Sequence, residues 1–441
     1  MNLKIIVPAG VLTIVERLRN AGHKAYVVGG AVRDALIGKD IPCDWDVATS
    51  ASPEEVIELF SRTYPTGIKH GTVTVIEDNL KVEVTTFRKE TRYLDGRHPD
   101  NISFVVDIEE DLSRRDFTFN AIAYNPLTEE LIDPFGGIKD LKRGVVRAIG
   151  DPEERIVEDR LRMMRALRFA GLLKFRIDKK TFLAIKKNSG RILSVSVERI
   201  RDEFFKMLLI ETPSFSLEYM RESGLMREII PELLEGYEVA QNKHHAYSVY
   251  VHLLKVCDNV PPKLNLRLAG LFHDIGKSRT KKGPHFYGHE IVGAEMTKDI
   301  LKRLRAPNEL IKNVTHLVRH HMVNYSDKWG DGAVRRFIRR VGVDNLPDIF
   351  ELLKADTSGK GTGIGDWPIP LVARVDRVLD NGEALSIKDL KINGADIIDL
   401  LKIPPGPKVG EILKDLLEMV IEEPYLNTSE RLSKIVMERF R

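Results

Sequence analysis

Cysteine is nearly absent: Cys43 and Cys257 are the only two among 441 residues. Two thiols do not make a disulfide framework, which points to a reducing cytoplasm. Long hydrophobic runs are missing too. No apolar stretch reaches the roughly 20 residues a membrane-spanning helix needs, so no membrane partner is expected. The first segment, "MNLKIIVPAGVLTIVERLRNAG", has an apolar patch soon followed by charge. It reads as an amphipathic helix rather than a signal peptide. A surplus of one charge is lacking as well: the net charge is +3 with 30% charged residues. Composition alone therefore announces no nucleic-acid binder, and any basic surface has to be local. Glutamine occurs once, at Gln241, among many Lys, Arg and Glu. That bias is seen in heat-adapted proteins and bears on habitat rather than function.

What is present suffices for several cores, since 43% of this long chain is hydrophobic. From Tyr26 to Ile149 short β-branched runs ("AYVVGG", "GTVTVI", "KVEVTTF", "ISFVV", "LIDPF") alternate with turn signals and helical stretches. This reads as a mixed α/β head. From Glu153 onward the period is helical, beginning with "ERIVEDRLRMMRALRFAGLLKF". The stretches "VPPKLN", "KKGPHFYGH", "DTSGKGTGIGDWPIP" and "KIPPGPKVG" read as joints. The expected division is a head over 1–148, a helical neck over 149–212, a helical body over 213–360 and a helical tail over 361–441.

The densest chemistry lies in "VGGAVRDALIGKDIPCDWDVATS", from Val28 to Ser50. Residues two apart on a strand face the same way, so Asp44 and Asp46 project together, with Trp45 and Val47 opposite. Adjacent carboxylates repel unless a cation lies between them, and Mg²⁺ takes oxygen ligands. Gly29 and Gly30 end the strand "AYVV" and let backbone N–H groups approach a phosphate, with Arg33 and Asp34 close behind. A phosphate cradle beside a carboxylate pair suggests phosphoryl or nucleotidyl transfer by two metals. Glu83 in "KVEVTTFR" is the candidate third acid.

These residues resemble the signature of class II tRNA nucleotidyltransferases, the CCA-adding enzymes and their bacterial poly(A) polymerase relatives. The resemblance continues in order through "HGTVTV", "EVTTFR", "DGRHP", "DLSRRDFTFNAIAYNP", "DPFGGIKDL", "EDRLRMMRALRFA" and "ERIRDEFFKML". It implies a multidomain fold: an α/β nucleotidyltransferase-like head with a mixed sheet, then a mostly α-helical neck, body and tail. It places Mg²⁺ on Asp44 and Asp46, and ribose and phosphate contacts on Arg115, Asp116 and Asn120. It also implies the 3′ end of tRNA, CTP and ATP as partners. The polar loop "RKETRYLDGRHPDN" is linked in this family to addition of the final A.

Selection of C and A is chemically tractable. Both bases present an exocyclic amine beside an unprotonated ring nitrogen; uracil and guanine present a carbonyl beside a ring N–H. A carboxylate next to a guanidinium fits the first pair and misfits the second. Asp159 and Arg162 stand three apart in a predicted helix and share a face. They fall on the family's base-reading motif in "EDRLR", with Glu158 and Arg165 in support. Arg168 completes the nucleotide-binding candidates.

Histidines gather later: His244, His245, His252, His273, His289, His320 and His321. His252, His273-Asp274 and Asp356 on helical segments resemble the metal site of HD domains. Imidazole with carboxylate suits Zn²⁺ or another divalent transition metal. His289, His320 and His321 are candidates for a second metal, and Lys277 for a phosphate. Related domains hydrolyse phosphate esters. In the tail, Lys402, Lys408 and Lys414 with Gly406 and Gly410 read either as a grip on the tRNA backbone or as a connector before a solvated helix. The rival readings are an enzyme adding only CC or only A, a poly(A) polymerase, and an HD phosphohydrolase whose head docks RNA. No protein partner is legible.

Overall fold

The computed structural model describes residues 5–39, 44–91, 101–242, 245–362 and 369–441. Two compact units result, Met1–Leu234 and Glu235–Arg441. The middle of the polar loop "RKETRYLDGRHPDN", residues 92–100, lies outside the described residues, as do Cys43 and His244.

The first unit opens with a helix, Ala9–Asn20, whose Val11, Ile14, Val15 and Leu18 are buried. Strands follow: β1 (Ala25–Val28), β2 (Trp45–Thr49), β3 (Thr63–Gly67), β4 (Thr72–Glu77), β5 (Leu80–Thr86), β6 (Arg88–Thr91), β7 (Asn101–Phe104), β8 (Ala123–Asn125) and β9 (Glu130–Ile132). Seven of them form one mixed sheet in the order β3-β4-β5-β2-β1-β8-β9, while β6 and β7 pair apart. β1 runs antiparallel to β2 and to β8; β2 runs parallel to β5. Alternation along the strands sets the faces. Trp45, Val47, Val82 and Val84 are at most 3% exposed and enter the core. Each such side chain contributes roughly 1.5–3 kcal/mol by leaving water. The intervening Asp46 and Glu83 are left on the other face, and the register sets them side by side.

Three strands escape the sequence reading, the first of them β6, which opens the stretch read as a polar loop. β3 contains Pro65, which cannot donate to a ladder. It is tolerated because β3 is an edge strand. β8, within "FNAIAYN", is three residues long and fully buried, and carries no alternation to read.

The neck departs from expectation at its centre. One helix ends at Glu158 and the next begins at Arg162. Asp159 between them is extended, at φ −137° and ψ 104°. Its Oδ1 accepts from Leu161 N at 3.1 Å and its carbonyl from Arg162 N at 3.0 Å. A short acidic side chain that bonds forward to backbone N–H competes with helix continuation. Asp159 and Arg162 therefore do not share a helix face.

The second unit is built of helices. Ser248 caps Val249–Asn259 by accepting from Val251 N. Leu264–Phe272 and Leu346–Gly359 pack against it, and Asn308–His320 packs against both Leu264–Phe272 and His289–Arg303. Near the end, Ile397, Leu416, Val420, Leu432 and Val436 belong to one buried cluster. Lys402 closes the helix Gly394–Leu401 in a left-handed conformation, and Gly406 precedes Pro407–Glu422. Among the described residues no helix is long and apolar enough to cross a membrane.

Candidate active site

A cavity of ≈ 990 Å³ in the first unit is lined by Asp44, Asp46 and Glu83 on one side and by Asp159, Arg162, Arg165 and Arg168 on another. Gly29, Gly30, Arg33, Arg115, Asp116 and Asn120 also line it. Every residue expected to act in the head therefore reaches one space except Asp34. That carboxylate grips Arg33 in a two-pronged contact, Nε to Oδ1 at 2.8 Å and Nη2 to Oδ2 at 2.9 Å.

The acidic corner is strained electrostatically. Burial pushes the Asp46 carboxyl up to about 6, against the pull of Arg115, and Glu83 and Asp44 push it further. A cation among these oxygens would relieve the repulsion, so the donor set fits a hard divalent ion. Gly29 explains the close approach of the turn. Its φ is +77°, and a Cβ there would lie 3.1 Å from Asp46 Oδ2 and 3.4 Å from Arg115 Nη1. No other residue takes that conformation at so little cost.

A chain of polar contacts forms the next wall. Arg33 Nη1 donates to Asn120 Oδ1 at 3.0 Å, and Asn120 Nδ2 donates to Asp116 Oδ1 at 3.0 Å. Arg165 Nε donates to Asp116 Oδ2 at 2.7 Å. Burial alone would raise the Asp116 carboxyl, but Arg165 and Asn120 hold it below the usual range. Arg114 and Arg115 both reach the buried Asp111, at 2.8 and 3.3 Å. Arg115 Nε is buried with no partner among the described residues. It is a donor in want of an acceptor such as a phosphate oxygen.

The base-reading candidates are held from behind. Asp159 Oδ2 accepts from Arg199 Nη2 at 2.8 Å. Arg162 Nη1 donates to Glu158 Oε2 at 2.6 Å and Arg155 O at 2.9 Å, and its Nη2 to Arg114 O at 2.9 Å. A guanidinium has five N–H donors and a carboxylate about four acceptor positions, so both keep capacity toward the cavity. Arg168 donates to Glu203 Oε1 at 2.5 Å and lies over the Phe169 ring, 4.3 Å from its centre. Thr74, Lys81, Leu172 and Lys206 also line the cavity without having been expected. Lys206 was legible only as one more charge on an amphipathic helix.

The histidine cluster lies in the second unit. His252 Nε2 stands 3.0 Å from Asp356 Oδ1 and 3.4 Å from Asp274 Oδ2. His273 Nε2 stands 3.2 Å from Asp274 Oδ2 and 3.2 Å from His252 Nε2. His289 and His321 approach the other oxygen, Asp274 Oδ1, at 3.1 and 3.4 Å. Burial alone would lower His273, but the Asp274 and Asp356 carboxylates raise it to about 9. Gly276 permits this convergence: a Cβ there would sit 2.3 Å from His289 O. The Nε2 atoms of His289 and His321 are buried, and Asp274 Oδ1 is the group both of them face. Buried imidazole nitrogens aimed at a carboxylate fit a metal ion.

Two expectations here need correction. The structure does not bring His320 to the cluster. Its ring packs on His316 with centres 4.5 Å apart, and burial beside His316 and Arg340 lowers it to about 4. Successive helical residues point about 100° apart, so only one of His320 and His321 can face inward. Lys277, expected to hold a phosphate, is 7% exposed and already bonded to Asp274 Oδ2 at 2.5 Å and Gln241 Oε1 at 2.8 Å. His245, by contrast, joins the group: its ligand atom lies within 4.8 Å of those of His252, Asp274 and Asp356.

Three stretches match known family models. Residues 25–147 match the Poly A polymerase head domain, 174–236 the "Probable RNA and SrmB- binding site of polymerase A", and 290–436 domain 2 of a tRNA nucleotidyltransferase. A CCA-adding enzyme of Anoxybacillus flavithermus is 36% identical over 97% of this chain and 96% of its own length. One of Ligilactobacillus salivarius is 34% identical over 95% and 93% respectively. The crystal structure of Bacillus stearothermophilus CCA-adding enzyme in complex with CTP matches with a TM-score of 0.77 at 29% identity, covering 98% of each chain. With the acid trio and the arginine wall in one cavity, and this likeness running nearly end to end, the chain belongs to the class II family of CCA-adding enzymes and bacterial poly(A) polymerases.

Proposed function

We propose that the protein adds CMP, CMP and AMP in turn to the 3′ end of tRNA, from CTP and ATP, in the cytoplasm. The observation that carries this reading is that the acidic corner and the Asp159–Arg162 pair line one cavity. The 3′ hydroxyl attacks the α-phosphorus, the bond to the β-phosphate oxygen breaks, and pyrophosphate leaves. Asp44, Asp46 and Glu83 would hold Mg²⁺. Mg²⁺ held there would lower the pKa of the hydroxyl and stabilise the leaving oxygens. Arg115, with its unpartnered buried Nε, and Arg33, fixed by Asp34 and Asn120, neutralise the triphosphate. Asp159 accepts from the exocyclic amine and Arg162 donates to the ring nitrogen, which admits C and A and refuses U and G. Arg199 and Glu158 hold those two groups in place.

On this reading residues 1–148 are the catalytic head, 149–212 the base-selecting neck, 213–360 the body with the histidine cluster and 361–441 a tail that contacts tRNA. Extension of a tRNA transcript lacking its 3′ end, read at single-nucleotide resolution, tests it. CTP alone gives two additions, and CTP with ATP gives three. A long A tail, or addition of only one kind of nucleotide, overturns CCA addition.

A second reading concerns the histidine cluster, favoured by the buried Nε2 atoms of His289 and His321 converging on Asp274 Oδ1. His252, His273, Asp274 and Asp356 would hold a divalent transition metal, and Asp274 with His289 and His321 another. Such a pair of ions suits hydrolysis of a phosphate ester. Release of phosphate from a generic ester, abolished by His273→Ala and retained by Asp44→Ala, tests it.

A further inference from the structure

We propose that His245 is a fifth protein ligand of the inner metal position. That position is then nearly closed by protein donors, whereas the outer one, on Asp274 Oδ1, His289 and His321, stays open to substrate. The inference rests on the reading of the cluster as a metal site and goes beyond it.

The rings are set as ligands. Nδ1 of His252 faces Gly359 O at 3.2 Å, that of His273 faces Gly270 O at 3.0 Å, that of His289 faces Phe286 O at 2.7 Å and that of His321 faces Val318 O at 2.7 Å. A carbonyl only accepts, so Nδ1 carries a proton and Nε2 is left as the nitrogen that a metal ion would bind in place of a proton. His245 follows the same rule: its Nδ1 faces Asn242 Oδ1 at 3.2 Å. Its Nε2 is buried and has no partner among the described residues. Its ligand atom falls within 4.8 Å of those of His252, Asp274 and Asp356, and its ring stands edge-on to His252 with centres 5.0 Å apart.

The placement of His245 is built in. Lys277, which grips Asp274, also donates to Gln241 Oε1 at 2.8 Å. Lys360, whose ammonium lies 3.1 Å from Asp356 Oδ2, accepts at its carbonyl from Ala246 N at 2.9 Å. Lys281 Nζ donates to Ala240 O at 3.0 Å. The two lysines that fix the carboxylates thus also hold Gln241, before His245, and Ala246, after it. The ligand atoms of His245, His252, Asp274 and Asp356 lie within 4.8 Å of one another, and His273 Nε2 stands 3.2 Å from Asp274 Oδ2 and 3.6 Å from Asp356 Oδ1, so these five residues are the donors assigned to the inner position. Five donors leave a six-coordinate ion one further position, whereas three donors leave the outer ion three. The inner position would therefore hold its ion the more tightly, and the outer one would leave room for a phosphate oxygen.

The test uses full-length protein carrying Asp44→Ala and Asp46→Ala, so that the head contributes no site, stripped with chelator and titrated with Co²⁺. Calorimetry gives the affinities, and visible absorption reports coordination number. Two sites of unequal affinity are expected. His245→Ala and the size-conserving His245→Gln weaken the tighter site by at least about tenfold and leave the weaker one within a factor of about two. Both variants shift the cobalt absorption bands, as replacement of an imidazole nitrogen by a water or amide oxygen does. His289→Ala removes only the weaker site. Circular dichroism and thermal unfolding verify that each variant is folded. An unchanged tight site in both His245 variants overturns the inference while leaving the metal reading intact. Absence of Co²⁺ binding to the parent protein overturns both.

Discussion

The head cavity and the histidine cluster solve the same problem, gathering carboxylates against their repulsion, by different means. The head uses oxygen donors only, in a cavity walled by arginines. The cluster mixes imidazole with carboxylate, and His252, His273, Asp274, His289 and His321 are at most 5% exposed. Oxygen donors suit a hard ion that exchanges ligands; imidazole suits a transition metal. The construction differs as well. In the head, strand register alone puts Asp46 beside Glu83. In the cluster the ligands come from separate helices and a connecting segment, and close packing at Gly276 lets them meet. A site on a sheet is written in a short repeat; a site among helices is written across the whole chain.

The largest break in this comparison comes from the acids. Asp46→Ala lowers tRNA extension by about a thousandfold or more while leaving Co²⁺ binding at the cluster unchanged. Steady-state extension rates and calorimetry on one preparation verify both halves. Next in size is base choice. Asp159→Ala or Arg162→Ala narrows discrimination of CTP and ATP against UTP and GTP by about 10- to 100-fold, the value of a good bidentate base contact. Single-turnover extension with each nucleotide measures it.

Sheet and helix bundle also differ in how much of each site is legible in the sequence. The alternation "DWDV" and "KVEV" gave the buried and exposed faces of β2 and β5 correctly, because one strand period decides them. The break at Asp159 was missed although an Asp just before an apolar-periodic run is a helix-start signal; the long periodicity around it masked that signal. His245 was missed because the spacing pattern already had its first histidine in His252. His320 was misassigned because adjacent histidines look alike until the direction of each on its helix is known. Lys206 lies within "ERIRDEFFKML" and Leu172 just beyond "EDRLRMMRALRFA", but neither carried a role in the sequence reading, and only packing brings them to the cavity.

A smaller effect sharpens the electrostatic side. With Asp46 raised from 3.8 to about 6 by burial and its acidic neighbours, its contribution to stability without metal is present below pH 3.8 and lost as pH rises to about 6. A divalent ion reverses the penalty on the charged form. Mg²⁺ therefore raises the melting temperature of the head more at about pH 7.5 than at about pH 5, and in Asp46→Asn this pH dependence disappears. Smallest is the turn: Gly29→Ala costs about 1 kcal/mol of stability from its backbone angle. It lowers extension further by crowding Asp46 and Arg115. Denaturant unfolding beside extension rates separates the two.

The central claim is that one cavity serves both nucleotides. Equilibrium binding of labelled CTP, with Mg²⁺ and without tRNA, tests it most directly when ATP is added as competitor. Complete displacement by ATP, with UTP and GTP ineffective until Asp159 or Arg162 is replaced, is the predicted result. Simultaneous binding of CTP and ATP without competition would contradict a single base-reading site.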